Sequence, residues 1–161
     1  MPEPLDEGVN VSCFVDADHA GNKITRQSHT GVILFFNRAP IVWYSKQQNT
    51  VESTTFGSEF VAMRQAMDMI EGLIYKLRMF GIPVEGETRI MCDNMAAVKN
   101  GSSPDSSLQK KYNSIAFQRI REAVAVGWAL IYHENGNSNL VDLLTKALPV
   151  EKRRHIIIGL Q

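Results

Sequence analysis

Cysteine is scarce here, long apolar runs are missing, and neither charge sign prevails. Two cysteines in 161 residues are too few for a disulfide framework. Cys13 and Cys92 each stand in an apolar, strand-like run just before an acid, so two reduced, buried thiols are the plain reading, in keeping with a cytosolic setting. No apolar stretch approaches the roughly 20 residues of a membrane-spanning helix, so no membrane partner is expected. The opening MPEPLDEG is acidic and has no apolar centre, unlike a secretory leader. No internal repeat or low-complexity tract is visible. Net charge is zero, with 17 Lys+Arg against 17 Asp+Glu, which leaves no overall basic signature.

What remains suits one globular domain with one core: 44% hydrophobic and 21% charged residues. The charge is unevenly placed. Residues 1–93 carry 8 Lys+Arg and 12 Asp+Glu, a net −4, while residues 94–161 carry 9 and 5, a net +4. An acidic segment facing a basic one suits a site that holds metal and contacts phosphates, although chance also produces such asymmetry.

Residues 1–8, with two prolines and three acids, read as a linker or tail, and residues 9–161 as the domain. The stretch VSCFVDADHAG at 11–21 is the organising one. It predicts a short strand over 9–15 that stops at Asp16. TGVILFF at 30–36 and IVWYSK at 41–46 predict a hairpin about a turn at 37–40. A long helix is expected from 53 or 54 to 80. Its stripe is Ala62/Met63, Ala66, Ile70, Leu73/Ile74 and Leu77, and Gly81 and Pro83 stop it. A fourth strand is expected over 88–92, a short helix over 94–99 closed by Asn100-Gly101, a helix over 107–126 and a fifth strand over 128–133. Helices over 140–148 and 150–160 follow. On the 107–126 helix, Leu108, Tyr112, Ile115, Ala116 and Ile120 are expected to look inward, with Lys110, Ser114 and Arg121 on the polar face. The order βββ-α-β-α-α-β-α implies an α/β fold with one mixed sheet and helices on its faces.

Four acids stand out. Asp16 and Asp93 end strands, Glu59 begins the long helix on its sheet-facing side, and Asp142 lies in the first turn of a later helix. A buried carboxylate is costly unless something positive meets it, and in α/β sheets sites gather at strand ends. If the first and fourth strands are neighbours, Asp16 and Asp93 are side by side. Four carboxylates that close repel unless cations neutralise them, and an all-oxygen set suits magnesium or manganese. Taken singly, each acid is more often a turn residue or helix cap. The set of four, with the element order, carries the reading.

The motifs VDADHAG (15–21), RQSHTGVI (26–33), STTFGSEFVAM (53–63), CDNMAAV (92–98), SLQKKYNSIAFQRIREAV (107–124) and LVDLLTKALP (140–149) occur in that order. Together they resemble the ribonuclease H domain of copia-type LTR retrotransposon Gag-Pol polyproteins. The resemblance implies the ribonuclease H-like fold: three antiparallel strands, then two parallel ones, in a five-stranded mixed sheet with helices on both faces. It implies metal-dependent hydrolysis of the RNA strand of an RNA/DNA hybrid during reverse transcription. Catalysis would be by two magnesium ions, for which manganese can substitute, leaving a 5′-phosphate and a 3′-hydroxyl. In that scheme Asp16 bridges the ions, Glu59 and Asp93 serve the ion near the leaving oxygen, and Asp142 serves the ion that activates water. Two ions about 4 Å apart can supply both functions. The implied partners are the hybrid and the reverse transcriptase domain of the same polyprotein, in the cytoplasm within virus-like particles.

Because 2′-hydroxyls in the minor groove distinguish RNA, Asn22, Ser28, Thr30, Gln47 and Asn94 are candidate hybrid contacts. Lys110, Lys111, Arg119 and Arg121 are candidate phosphate contacts, with a solvated helix face as the plainer alternative. His133, nine residues before Asp142, is a candidate proton shuttle, though a polar residue at a strand end is the plainer reading. Phe56 and Gly57 stand where the group usually has polar residues. One rival is a non-catalytic ribonuclease H-like connection module, which should have lost acids; all four are present. The other is an integrase or transposase core, which expects an acid about 35 residues after Asp93. That position is Trp128, and no acid lies between Glu122 and Glu134.

Overall fold

Strand β1 (Val11–Asp18) lies at the centre of the sheet, and its two faces organise the two sides of the molecule. This computed structural model describes residues 8–103, 114–136 and 138–158. β1 pairs antiparallel with β2 (His29–Phe36), which pairs antiparallel with β3 (Ala39–Gln47). On its other side β1 runs parallel to β4 (Thr88–Cys92), and β4 parallel to β5 (Ala129–His133), giving the order β3-β2-β1-β4-β5. The expected five-stranded mixed sheet is present.

Alternation along β1 sends Val11, Cys13, Val15 and Ala17 to one face. There α1 (Thr55–Met79) lays Phe60, Ala62, Met63, Ala66 and Ile70 over Val15, Val32, Leu34 and Ile90. Thr54 caps this helix, its hydroxyl accepting from the Gly57 N–H at 3.1 Å. α2 (Met95–Ser102) and α3 (Ser114–Ala125) complete that layer through Ala97, Val98, Phe117 and Ile120. The other face carries Phe14, Ile33 and Phe35, covered by Leu140, Val141 and Leu144 around the single turn α4 (Asp142–Thr145). α5 (Val150–Ile158) follows and buries Ile156. Helical segments therefore lie on both faces.

Several boundaries and one position on a helix face differ from expectation. β1 continues through Asp18 rather than stopping at Val15, because β2 stays paired along it: Asp16 faces Gly31, Ala17 faces Thr30 and Asp18 faces His29. β3 starts at Ala39, inside the expected turn; Pro40 pairs with Phe35 and Val42 with Leu34, so Ile41 is the extra residue of a bulge in β3. α2 runs through Asn100-Gly101 to Ser102. Gly101 is there for closeness, since a Cβ on it would lie 2.7 Å from Ile131 Cδ1. β5 begins one residue late, at Ala129. The helix expected over 140–148 shrinks to one turn, because Lys146 is extended (φ −127°, ψ 146°). On α3, Ile115 is 75% exposed and Phe117 takes the inward place, stacking on Phe60 with ring centroids 5.9 Å apart. Leu108, Lys110, Lys111 and Tyr112 lie outside the described residues, as do 1–7 of the expected tail.

Candidate metal centre

Each of the four acids is delivered by a different local rule. Parallel pairing of β1 and β4 matches Val15 with Cys92, so the residues that follow, Asp16 and Asp93, are neighbours across two strands. Glu59 lies in the second turn of α1 and points down to the sheet, where its Oε1 accepts from the Ala17 N–H at 3.3 Å. Asp142 opens α4, and α4 can lie against the sheet there because β2 has a glycine opposite Asp16. A Cβ on Gly31 would lie 2.4 Å from Val141 Cγ1 and 2.6 Å from Thr145 Cγ2.

The result is one acidic centre. Carboxylate oxygens of Asp16, Asp93 and Asp142 lie within 4.8 Å of one another, as do ligand atoms of Glu59, Cys92 and Asp93. Asp16, Glu59 and Asp142 are 1–2% exposed, so these charges cannot be left to solvent. Cys92 Sγ donates to Glu59 Oε2 at 3.8 Å, and burial pushes its thiol up, so it acts as a donor rather than a thiolate. Burial first, then the charges of Asp16 and Asp93, raise the Glu59 carboxyl well above the ordinary range. Burial and the Asp16 charge also raise Asp93, which is half-buried. Both shifts mark a site short of positive charge.

Two lysines partly answer that shortage. Lys146 Nζ donates to Asp16 Oδ1 at 3.1 Å and to Asp142 Oδ1 at 2.7 Å. Lys152 Nζ donates to Asp142 Oδ2 at 2.6 Å and to the Gly136 carbonyl at 3.1 Å. Thr145 Oγ1 donates to Asp16 Oδ2. Burial alone would lower the Lys146 ammonium, but its hydrogen bonds and charge pairing with Asp142 and Asp16 outweigh that and hold it above its usual value. The open cleft above the acids is lined by Asp16, His19, Glu59, Asp93, Asn94 and Lys146, among others. An all-oxygen set in which burial and neighbouring carboxylates push Glu59 and Asp93 toward neutrality suits hard divalent ions.

The other expected site residues divide sharply. Asn94 lines the cleft and also caps α2, accepting from the Ala97 N–H at 3.1 Å. Ser28 and Thr30, expected as outward contacts, are fully buried. Ser28 Oγ accepts from the Ala20 N–H and fastens the loop after β1 from within, while Thr30 Oγ1 accepts from Gln48 Nε2 and ties β2 to the segment after β3. Asn22 accepts from the Ile24 and Thr25 N–H groups, and Gln47 Nε2 donates to Thr25 and Gln27; both shape that same loop. Arg119 is committed to Asp68 and Glu71 of α1, and Arg121 stands over the Phe117 ring at 5.2 Å. Neither lines the cleft. His133 is exposed at the end of β5, its Nε2 3.1 Å from the Asp93 carbonyl oxygen.

No protein-family profile matches the chain. Solved structures resemble it closely in shape. LC11-RNase H1 in complex with RNA/DNA hybrid matches with a TM-score of 0.63 at 17% identity, over 84% of this chain and 94% of that one. The native prototype foamy virus protease-reverse transcriptase matches with a TM-score of 0.56 at 11% identity, over 98% of this chain and 20% of that one. This is the ribonuclease H fold. Among curated sequences, the retrovirus-related Pol polyproteins from transposon RE1 of Arabidopsis thaliana and transposon TNT 1-94 of Nicotiana tabacum are each 28% identical. The matches run over 140 and 139 residues, 87% and 86% of this chain. The chain spans about 10% of the length of either polyprotein. It is therefore a ribonuclease H-fold domain whose homologues are copia-type retrotransposon polyproteins.

In this ribonuclease H-fold domain, the residues that sequence reasoning passed over are His19, Thr145, Lys146 and Lys152. Lys146 had a signal: it follows Asp142 by four, the spacing of a helical acid–base pair. Lys152 had only the basic excess of residues 94–161, which the fold carries back to the acids.

Proposed function

We propose that this domain is a metal-dependent ribonuclease H that cuts the RNA strand of RNA/DNA hybrids during retrotransposon reverse transcription. The observation that carries the reading is the clustering of acids spread over 126 positions: Asp93 meets Asp16 and Asp142 on one side and Glu59 on the other, and Asp16, Glu59 and Asp93 line one cleft. Two bound magnesium ions, or manganese in their place, would supply a hydroxide nucleophile and charge stabilisation for the departing oxygen. Asp16, Glu59, Asp93 and Asp142 would hold them. The protein's own work is preorganisation: the Ala17 N–H and Cys92 thiol aim Glu59, and Thr145 aims Asp16. Lys146 has to release an oxygen of Asp16 or Asp142 before that oxygen can serve a cation. Asn94, which lines the cleft, would meet substrate, and exposed His133, whose Nε2 lies 3.1 Å from the Asp93 carbonyl oxygen, would pass protons. The products are a 5′-phosphate and a 3′-hydroxyl. LC11-RNase H1 has been captured on an RNA/DNA hybrid, and that shared fold supports the hybrid as substrate. The polyprotein relatives and the foamy virus protease-reverse transcriptase match support a reverse transcriptase domain as partner; virus-like particles would be the setting.

The test is an end-labelled hybrid incubated with and without magnesium. Cleavage of the RNA strand only with metal is expected, and Asp93→Asn abolishes it while leaving the thermal melt of the domain intact. Preference for a DNA duplex over the hybrid, or an Asp93→Asn variant as fast as the parent, would overturn the reading.

A further inference from the structure

Asp142 is the acid whose position is hardest to account for. It sits on a helix of one turn, and the chain on either side of that turn is irregular. Backbone geometry that short does not hold a carboxylate in place by itself. Packing of Val141 and Thr145 over Gly31 seats the turn and Lys146 holds Oδ1; a further hold on the carboxylate comes from farther along the chain. Lys152 projects from α5, and its ammonium makes two hydrogen bonds, one to Asp142 Oδ2 at 2.6 Å and one to the Gly136 carbonyl at 3.1 Å. Gly136 belongs to the connection after β5, which passes against Asp93: a methyl group on Gly136 would lie 3.4 Å from Asp93 Oδ2. The Glu134 N–H anchors the same connection to the Cys92 carbonyl at 2.9 Å. One ammonium therefore ties the turn carrying Asp142 to the loop bordering Asp93. It engages Oδ2 only; Oδ1 is the oxygen on the Asp16 side, since Lys146 reaches Oδ1 of both residues.

We infer that Lys152 is a positioning residue of the acidic centre: from α5 it sets the spacing and orientation of Asp142 relative to Asp93, so the helix after the last acid is part of the site. The inference rests on reading the acids as a metal centre. It predicts that removing the ammonium weakens cation binding without weakening hybrid binding, because Lys152 touches the ligands and not the cleft wall lined by Asn94 and His19.

The experiment compares the full chain with Lys152→Met and Lys152→Arg. Manganese chloride is titrated by calorimetry, and hybrid cleavage is measured across magnesium concentrations. Residues that orient metal ligands typically cost at least tenfold in metal affinity when lost. The Met variant should accordingly bind manganese about tenfold more weakly and need correspondingly more magnesium for half-maximal cleavage, with KM for hybrid unchanged. The Arg variant, which keeps charge and donors, should recover most of that loss. A Met variant matching the parent in both titrations, or one whose loss appears in hybrid KM alone, overturns the positioning role. So does an Arg variant no better than Met. If the parent itself neither binds manganese nor cuts hybrid, the metal-centre reading falls as well; a parent that does both beside an unaltered Met variant removes only the role of Lys152.

Discussion

At the scale of single residues, Glu59 shows how the site stores unfavourable charge. Its carboxyl is 2% exposed, faces Asp16 and Asp93, and is raised well above its ordinary value of 4.5. Without metal, the folded chain therefore keeps a proton that the unfolded chain gives up. Because the folded state binds more protons, this group lowers stability as pH climbs from the ordinary carboxylate range to the raised value. Glu59→Gln removes the titration. In the presence of chelator, its stability relative to the parent should rise across that window, as read by denaturant melts at a series of pH values. A difference that stays flat with pH would contradict the account. The same residue shows what was legible in advance. Its place one step before the stripe Ala62/Met63–Ala66–Ile70 predicts the sheet-facing orientation. Its hydrogen bonds to Ala17 and Cys92, 42 and 33 positions away, follow from no local pattern.

At the scale of elements, the meeting of α4 with β2 decides whether Asp142 belongs to the site. Gly31 is buried within β2, and Val141 and Thr145 occupy the space a side chain would need. Gly31→Val should push α4 outward. Overpacking of this kind costs about 1–3 kcal/mol, measurable by urea unfolding. It should also weaken manganese binding, because Asp142 moves with the turn. A variant of full stability and full metal affinity would show that α4 is not seated by this contact. The long helix α1 was readable because 25 residues of regular periodicity announce it. α4 was overextended because one turn has no periodicity to read, and its end is set by the extended backbone of Lys146. On α3 the spacing predicts the burial of Ala116 and Ile120 but does not choose between Ile115 and Phe117, which are both apolar. Contact with Phe60 selects between them.

At the scale of the whole molecule, the acidic first half and the basic second half meet at one place. Lys146 and Lys152 come from the basic segment, Asp16 from the acidic one, and Lys146 closes a span of 130 residues. Two ammonium groups do not fully answer four carboxyl groups, since Glu59 and Asp93 are still raised, so a dication should stabilise the fold. A ligand at a hundredfold its Kd contributes about 2.7 kcal/mol. Magnesium should thus raise the melting temperature of the parent, and Asp16→Asn should lose most of that rise. Equal shifts in both would place the binding elsewhere. Among the described residues no helix is long and apolar enough to cross a membrane.

The order of strands and helices, and Asp16, Glu59, Asp93 and Asp142 as candidates, can be read from the chain alone, since alternation, helical periodicity and chain-stopping residues are local properties. Only the tertiary structure decided which cations stand beside those acids. It also decided that Ser28 and Thr30 face inward, and that Arg119 serves α1 rather than the cleft. These outcomes depend on which surfaces approach through space. A lysine on a late helix and an aspartate on the first strand leave no shared periodic trace until packing against the sheet brings them within hydrogen-bond reach.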